Sequence, residues 1–392
     1  MNRVYQVLVF LSILTIPFLF NPGLYAAEGL KIGDSDIEIV PWGEMKLQYD
    51  DNVFLDSENE KSDFIVTLTP GVTAHLPFSD NLLKLDYHVD FNRFMDNTSQ
   101  NATNHYLSGN LELNWRDLTF NIYDHFSRVF ERPNTEATTR IKRQDNRAGI
   151  TANFQKDRLG IQLGFENFKR DYITSAYDQF DRTENIYSLM ATHQTFSKTK
   201  LLLEYDFGDI KYDHSTTNSD SNYHQLLVGA IGELTPKTTA TIKVGAQFRN
   251  YKDSGVSDFN SLVIYSDLTH KFSDKDALKL SFTRTAEEST YQNNSYYELN
   301  NINGTYSHFF TPKLLGFVTG IYEEHTYPHE STEGAETKKR NDKYYSTGAG
   351  LKYYLQKWLS LTLQAEHIIR DSNFSLFDYR DNLITLSAKA IF

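Results

Sequence analysis

Apolar and polar residues alternate along most of this chain. From Pro41 onward, Gly43, Met45, Leu47 and Tyr49 sit between Glu44, Lys46 and Gln48. Leu83, Leu85, Tyr87, Val89 and Phe91 likewise alternate with Lys84, Asp86, His88, Asp90 and Asn92. The same period recurs at 64–76, 148–154, 159–165, 240–248 and 359–365. Successive side chains of a strand point to opposite faces, so each segment predicts a strand with one greasy and one wet face. Pro70 falls inside the second segment and has no N–H for the ladder, which predicts a bulge at Pro70-Gly71.

The separators between these segments come in two sizes that take turns. Short ones lie at 78–81, 116–117, 155–158, 197–200, 235–237, 273–276, 311–313 and 356–358. Long polar ones lie near 55–62, 96–103, 132–142, 173–182, 213–222, 252–260, 286–295, 328–340 and 371–380. Eight short and nine long separators delimit eighteen strands. An even number of antiparallel strands with short turns on one side and long loops on the other predicts a transmembrane β-barrel, periplasmic turns below and extracellular loops above. In hydrocarbon every backbone N–H and C=O must be paired within the protein, and only closure leaves a sheet without an edge.

A soluble β-sandwich or propeller would alternate too. Aromatics at the strand ends separate the two readings. Phe78, Trp115, Phe154, Phe196, Phe272, Phe310 and Trp358 flank the short turns. Phe54, Phe94, Phe130, Tyr172, Tyr212, Tyr251 and Tyr327 flank the long loops, so two interfacial girdles are expected. The last strand carries Ile384, Leu386, Ala388 and Ala390 on one face and stops at Phe392, a pattern that resembles the signal read by the outer-membrane barrel assembly machinery.

Composition sharpens this picture. The 392 residues include 27 Phe, 25 Tyr and 3 Trp, yet mean hydropathy is −0.51, as expected if apolar residues are interleaved with polar ones. Cysteine is absent, which removes disulfides, thiolate metal sites and cysteine catalysis. The net charge of −12 and the lack of Lys/Arg blocks exclude nucleic acid as a partner. Residues 7–20 are almost wholly apolar, Arg3 precedes them, and Pro22-Gly23 then Ala26-Ala27 follow. Residues 1–26 therefore read as a secretory signal peptide and 27–392 as the barrel. After residue 27 no apolar run is long enough for a membrane-spanning helix.

Eighteen strands leave a water-filled interior. By alternation the inward acids are Glu44, Asp86, Asp90, Glu112, Glu166, Glu204, Asp206 and Glu366, and the inward bases Lys46, Lys84, Lys243, Arg249, Lys279, Lys352 and Lys389. The two signs nearly balance, so no ring of like charge selects anions or cations. Asn110 and Gln162 add neutral hydrogen-bonding groups, and His88, Tyr123 and His125 add rings. Residues 27–40 are too few to plug such a lumen; gating falls to loops folded inward, with 132–142 and 328–340 as the longest candidates.

Sites for chemistry do not assemble. His325 and His329 have helical metal-site spacing beside Glu323, Glu324 and Glu330, but Pro328 between them predicts a loop. Asp50-Asp51-Asn52 lacks the Gly and Glu of a calcium loop. His193 with Ser188 or Ser266 makes no recognisable nucleophile and base. No cofactor, no metal and no enzymatic activity are expected.

Asp51-Asn-Val-Phe54, the run 62–72 ending in Pro70-Gly71-Val72, and Leu83-Lys-Leu-Asp-Tyr87 resemble the putative beta-barrel porin 2 family, outer-membrane barrels often encoded with exopolysaccharide or capsule genes. The resemblance implies a pore through which a secreted polysaccharide leaves a Gram-negative cell, working with a periplasmic polysaccharide export protein. It carries over no catalytic residues. Three readings stand: a polysaccharide-export channel, which leads; a general or small-molecule diffusion porin; and a non-conducting adhesin or structural barrel. Each sits in outer-membrane lipid and lipopolysaccharide, and a monomer is expected.

Overall fold

A computed structural model describes residues 29–33, 35–131, 136–137, 139–214 and 218–392. The signal-peptide reading falls outside the described residues. A two-residue strand, β1 (Leu30–Lys31), precedes β2 (Glu38–Asp50), β3 (Asp63–Phe78), β4 (Asn81–Phe94), β5 (Ala102–Trp115) and β6 (Leu118–Glu131). There follow β7 (Ile141–Lys156), β8 (Leu159–Tyr172), β9 (Arg182–Gln194), β10 (Thr199–Tyr212), β11 (Ser221–Thr235) and β12 (Thr238–Tyr251). The chain continues with β13 (Phe259–Lys271), β14 (Asp276–Glu288), β15 (Tyr296–Thr311) and β16 (Leu314–Glu333). It ends with β17 (Glu336–Gln356), β18 (Leu359–Ser372) and β19 (Tyr379–Ile391).

Strands β2 to β19 pair antiparallel in chain order, and β19 returns to β2 from Leu383↔Asp50 to Ile391↔Trp42. The result is a closed barrel of 18 strands. Closure leaves no edge, the requirement that hydrocarbon sets. Three of the two-residue turns begin with a left-handed residue, Ser79, Arg116 or Asp157 (φ 52°, 54° and 51°), a conformation that lets a tight hairpin follow the twist of its strands.

One face is apolar all round. Met45, Leu47, Leu85, Leu107, Ile122, Ile150, Leu163, Leu189, Leu203, Val228, Val244, Leu262, Leu280, Val318, Leu363 and Leu386 are all exposed. At the short-turn end Phe78, Trp115, Phe154, Phe196, Phe272, Phe310, Trp358 and Phe392 are exposed too. Phe392 stacks on Trp358 at 5.9 Å, and its N–H donates to the Pro41 carbonyl.

Three expectations need correction. The ring of loop-side aromatics does not face outward as drawn. Phe94, Tyr172, Tyr212 and Tyr327 are buried, the last completely, because their parity is inward and the loops fold over them. Rings on the outer face nearer that end are instead Phe64, Tyr87, Tyr187, Tyr205 and Tyr345. Secondly, Pro70 makes no bulge. It sits in continuous register opposite Gly43, and on the other side the ladder resumes in step from Leu68↔Phe91 to Gly71↔His88. The missing N–H is absorbed by one gap in the hydrogen bonds, beside which the Thr69 hydroxyl donates to Asp90 at 2.6 Å. Thirdly, 328–340 is not a loop but the end of the long β16–β17 hairpin, turned at Gly334 (φ 61°). Pro328 is accommodated by a register shift between Thr326 and Glu330. The hairpin overshoots the apolar belt, so both its faces meet water or other loops and the alternation that marks a strand is lost.

Candidate functional site

Residues paired directly across an antiparallel ladder share a face. The inward set is linked in this way around the barrel. Glu44 opposes Lys389, Lys84 opposes Asn110, and Asp86 lies between Thr73 and Ser108. His88 opposes Tyr106, Asp90 opposes Asn104, Glu112 opposes Asn121, and Lys46 opposes Thr67. Further round, Gln162 opposes Asn153, Glu166 opposes Gly149, Asp206 opposes Gln225, and Glu204 opposes Leu227. Lys243 opposes Tyr265, Arg249 opposes Tyr223, Lys279 opposes Thr305, Lys352 opposes Thr362, and Glu366 opposes Gly348. All of these lie on the face opposite the exposed apolar belt. His193 and Ser188, five apart on β9, take opposite faces of the sheet and cannot meet.

This interior has two different walls. On β2 to β6 several polar side chains stay partly open: Lys46 is 32% exposed, His88 27% and Asp86 24%, although Thr69 and Asn104 are buried. Rings are set among them. The Trp42 indole covers Gly71, where a Cβ would overlap it, which is why the residue after Pro70 is glycine. Trp42 lies 5.3 Å from His88, His88 stacks on Tyr106 at 4.7 Å, and the Lys389 ammonium sits 4.5 Å over the indole. His88 bonds Asp86 at 3.1 Å, and Asp86 accepts from Thr73 at 2.6 Å. Tyr123 stacks on His125 at 5.5 Å and donates to Glu166 at 2.7 Å.

From β9 to β17 the wall is packed. Arg249 and Glu288 are 0% and 1% exposed and ion-paired, with Tyr212 donating to Glu288 at 2.7 Å. The Arg249 guanidinium also lies over Tyr223 and Phe259 at 5.5 and 5.6 Å. Lys243 pairs with Glu204 at 10% and 9% exposure, and Gln225 donates to Asp206 at 2.9 Å. Leu227, Val263 and Tyr265 form an apolar cluster on the same inner face, as do Phe309, Leu315 and Tyr354 lower down. Charges withdrawn from water this far need a partner, and each of these has one. Between the two walls, Asp145 holds Arg170 through two 2.8 Å bonds and Arg143 through one of 3.1 Å.

The long-loop end narrows further. The last residues of β14 have no partner on β13, whose ladder stops at Ile264↔Arg284, and they turn inward to bring Glu288 to Arg249. From the connection between β6 and β7, Glu136 reaches the β14–β15 connection, eight strands away around the ring. Its carboxylate accepts from the Ser289 hydroxyl, the Thr290 N–H and the Thr290 hydroxyl, each at 2.6 Å. The same connection is tied to the β16–β17 hairpin: Gln292 donates to the Thr332 carbonyl and accepts from its N–H, both at 3.1 Å. Beneath it Arg340 is enclosed by Phe377, Tyr291 and Tyr327 at 3.5, 4.3 and 5.0 Å. Asp342 binds Arg340, Arg370 and the Ser372 hydroxyl. Of the two candidate gating segments, 132–142 contributes Glu136 to the contact across the mouth and 328–340 belongs to the β16–β17 hairpin.

The alternation reading missed Arg143, Asp145, Arg147, Arg170, Glu288, Arg340 and Asp342. The first three follow the parity of Gly149 and Arg170 that of Glu166, and these were legible; the others lie near the long-loop end, where the alternation fades. His325 is buried, 3.2 Å from Glu323 and 5.0 Å from the Tyr297 ring. Among the described residues no three His, Asp or Glu side chains are arranged to hold a metal ion.

The model of a family described as "Putative beta-barrel porin 2" matches residues 21–392. No functionally curated protein matches the sequence. Among solved structures, OpdK of Pseudomonas aeruginosa with vanillate is 12% identical, over 90% of this chain and 99% of that one, with a TM-score of 0.47. OccK2 (OpdF) of Pseudomonas aeruginosa in complex with glucuronate is 10% identical, over 91% and 98%, at 0.49. The siderophore receptor PirA of the same organism is 12% identical, over 92% and 81%, at 0.46.

Proposed function

The chain belongs to the putative beta-barrel porin 2 family and is an outer-membrane β-barrel of porin type, and on that premise we propose that it is a diffusion channel for small hydroxyl-bearing solutes. The observation that carries this reading is the inequality of the two walls. Packed ion pairs and apolar side chains occupy the inner face from β9 to β17, and Glu136 spans the mouth, so passage is confined to the side of β2 to β6. That side offers rings for the faces of a sugar or similar solute and carboxylates and amides for its hydroxyls: Trp42, His88 and Tyr106 with Asp86, Asp90 and Asn110. The near balance of inward charge favours neutral or weakly charged cargo. No covalent chemistry is assigned to any residue, and the barrel is read as monomeric.

The test is solute flux into liposomes containing the purified barrel, with mono-, di- and trisaccharides of rising size. Entry that falls steeply with size supports the reading; a barrel that conducts neither ions nor sugars contradicts it and favours a structural or adhesive role. A second reading, export of a secreted polysaccharide with a periplasmic export protein, draws support from the same row of rings. It predicts that a deletion strain keeps cytoplasmic synthesis of the polymer but loses it from the surface. Normal surface polymer with slower sugar uptake would discard it.

A further inference from the structure

The outer face is not uniform above its apolar belt. On β4 the exposed Arg93 follows Phe91, and on β6 the exposed Arg128 follows Phe126. Each follows an apolar side chain of the outer face by one outward step, and on β6 Phe130 lies one step further on. Lys142 on β7 and Lys169 on β8 are exposed on the same side, above Ala148 and Phe165. The register places Arg128, Lys142 and Lys169 on three consecutive strands. Arg128 lies between His105 of β5 and Gln144 of β7, Lys142 opposes Phe130 of β6, and Lys169 lies between Asn146 of β7 and Thr183 of β9. The Arg93 guanidinium donates to the carbonyls of Asn92 and Ala102 at 2.9 Å, and the Lys142 ammonium rests 5.3 Å from the Phe130 ring. Among the described residues none of the four makes an ion pair, although Asp171 stands at their height opposite Gln144 and Asp124 lies lower, opposite Gly109.

The far side of the barrel is built differently. There Arg284 is paired with Glu298 at 3.1 Å; Lys211 of β10, which shares Thr183 of β9 with Lys169 and so borders the patch, already has its own pair with Asp209 at 3.1 Å. Lys343 stands between Glu324 and Asp371, and Arg380 opposes Ile369. Bases clustered without carboxylate partners on a chain of net charge −12 are a local reversal of sign, and only at the level where hydrocarbon gives way to headgroups. Long basic side chains at that level lay their stems on the apolar belt and extend their charges to the surface.

We propose that the outer face of β4 to β8 is a binding surface for the phosphorylated glycolipid of the outer leaflet, with Arg93, Arg128, Lys142 and Lys169 on the phosphates of lipid A and the apolar belt of Leu85, Leu107, Ile122 and Ile150 under its acyl chains. Charge complementarity selects this occupant: phosphates are doubly suited to guanidinium and ammonium donors, and the long-loop end is the end at which such a lipid lies. Tyr87, whose hydroxyl meets His105 at 3.0 Å on the same face, supplies an interfacial ring beside the cluster.

The test is titration of the purified full-length barrel in detergent with hexa-acyl lipid A, bound lipid being counted by mass spectrometry of the intact complex. The variant Arg93→Gln/Arg128→Gln/Lys142→Gln/Lys169→Gln should bind about tenfold more weakly or worse. The control variant Arg284→Gln/Lys343→Gln/Arg380→Gln, on strands away from the patch, should stay within about twofold of the parent. Dephosphorylated lipid A should lose affinity for the parent as the patch variant does for the phosphorylated form. Equal losses in the two variants, no loss in either, or undiminished binding of the dephosphorylated lipid would each overturn the proposal. Should the fourfold variant not refold, Arg128→Gln/Lys169→Gln alone must show a partial loss, and unchanged binding there would overturn it as well.

Discussion

The β2–β6 and β9–β17 walls are built on one strand geometry and one alternation, yet they differ in what their inward side chains do. Asp86 and His88 make a hydrogen-bonded pair and keep about a quarter of their surface, whereas Arg249 and Glu288 are withdrawn from water and depend on each other. An inward polar position is thus either lining or packing, and sequence parity does not separate the two. What separates them is the company across the lumen: the inward end of β14 and the connections folded onto the cap cover one side and leave the other.

The largest expected effect comes from breaking the packed side. Asp342→Ala leaves Arg340 and Arg370 buried without their shared carboxylate, and should cost about 3–5 kcal/mol of unfolding free energy in lipid vesicles. The equivalent change on the open side, Asp86→Ala, should cost no more than about 1 kcal/mol by the same titration, since its pair is partly solvated. Equal costs would mean the walls do not differ. Next in size, Leu163→Arg puts a charge in the outer apolar belt midway along β8 and should cost about 2–4 kcal/mol, while Gln162→Leu on the inner face should refold normally. The reverse outcome would turn the barrel's faces inside out.

Smaller effects concern passage. Trp42→Ala should leave stability nearly unchanged, because the ring lies on the open side, but should shorten the sugar-induced blocks of single-channel current. Glu136→Gln weakens the grip on Ser289 and Thr290 and should raise open-state conductance in planar bilayers. The smallest effect is a pH dependence in the first long loop. The Asp56 carboxyl is held below its ordinary value by hydrogen bonds from the N–H groups of Glu58 and Asn59. Its contribution is present above the ordinary carboxylate range and is lost as pH falls through the lowered folded value, so those two amides should lose exchange protection only in strong acid.

Much of the architecture was legible because lipid imposes a rule that a sequence must display. Leu83 to Phe91 alternates as a strand with one face in hydrocarbon must, and eight short and nine long separators give the strand count. The legibility ends where the lipid does. In 328–340 polar residues occupy both faces of a hairpin that meets water or other loops rather than lipid, and it reads as a loop. Tyr172, Tyr212 and Tyr327 sit at strand ends as girdle aromatics would, but their inward parity sends them under the cap. Pro70 signalled a bulge by its missing N–H, whereas the ladder tolerates one gap in step. The meeting of Glu136 with Ser289 and Thr290 joins segments some 150 residues apart, and no local pattern announces it.

The protein has no cysteine, so single cysteines can be introduced without interference. Placed at Asp86 and Asn110 on one wall and at Gln225 and Thr305 on the other, they can be challenged in a planar bilayer with a charged thiol reagent while current is recorded. The account predicts fast modification and a stepwise fall in conductance at the first two positions, and neither at the last two. Modification and block of equal rate on both walls would contradict it.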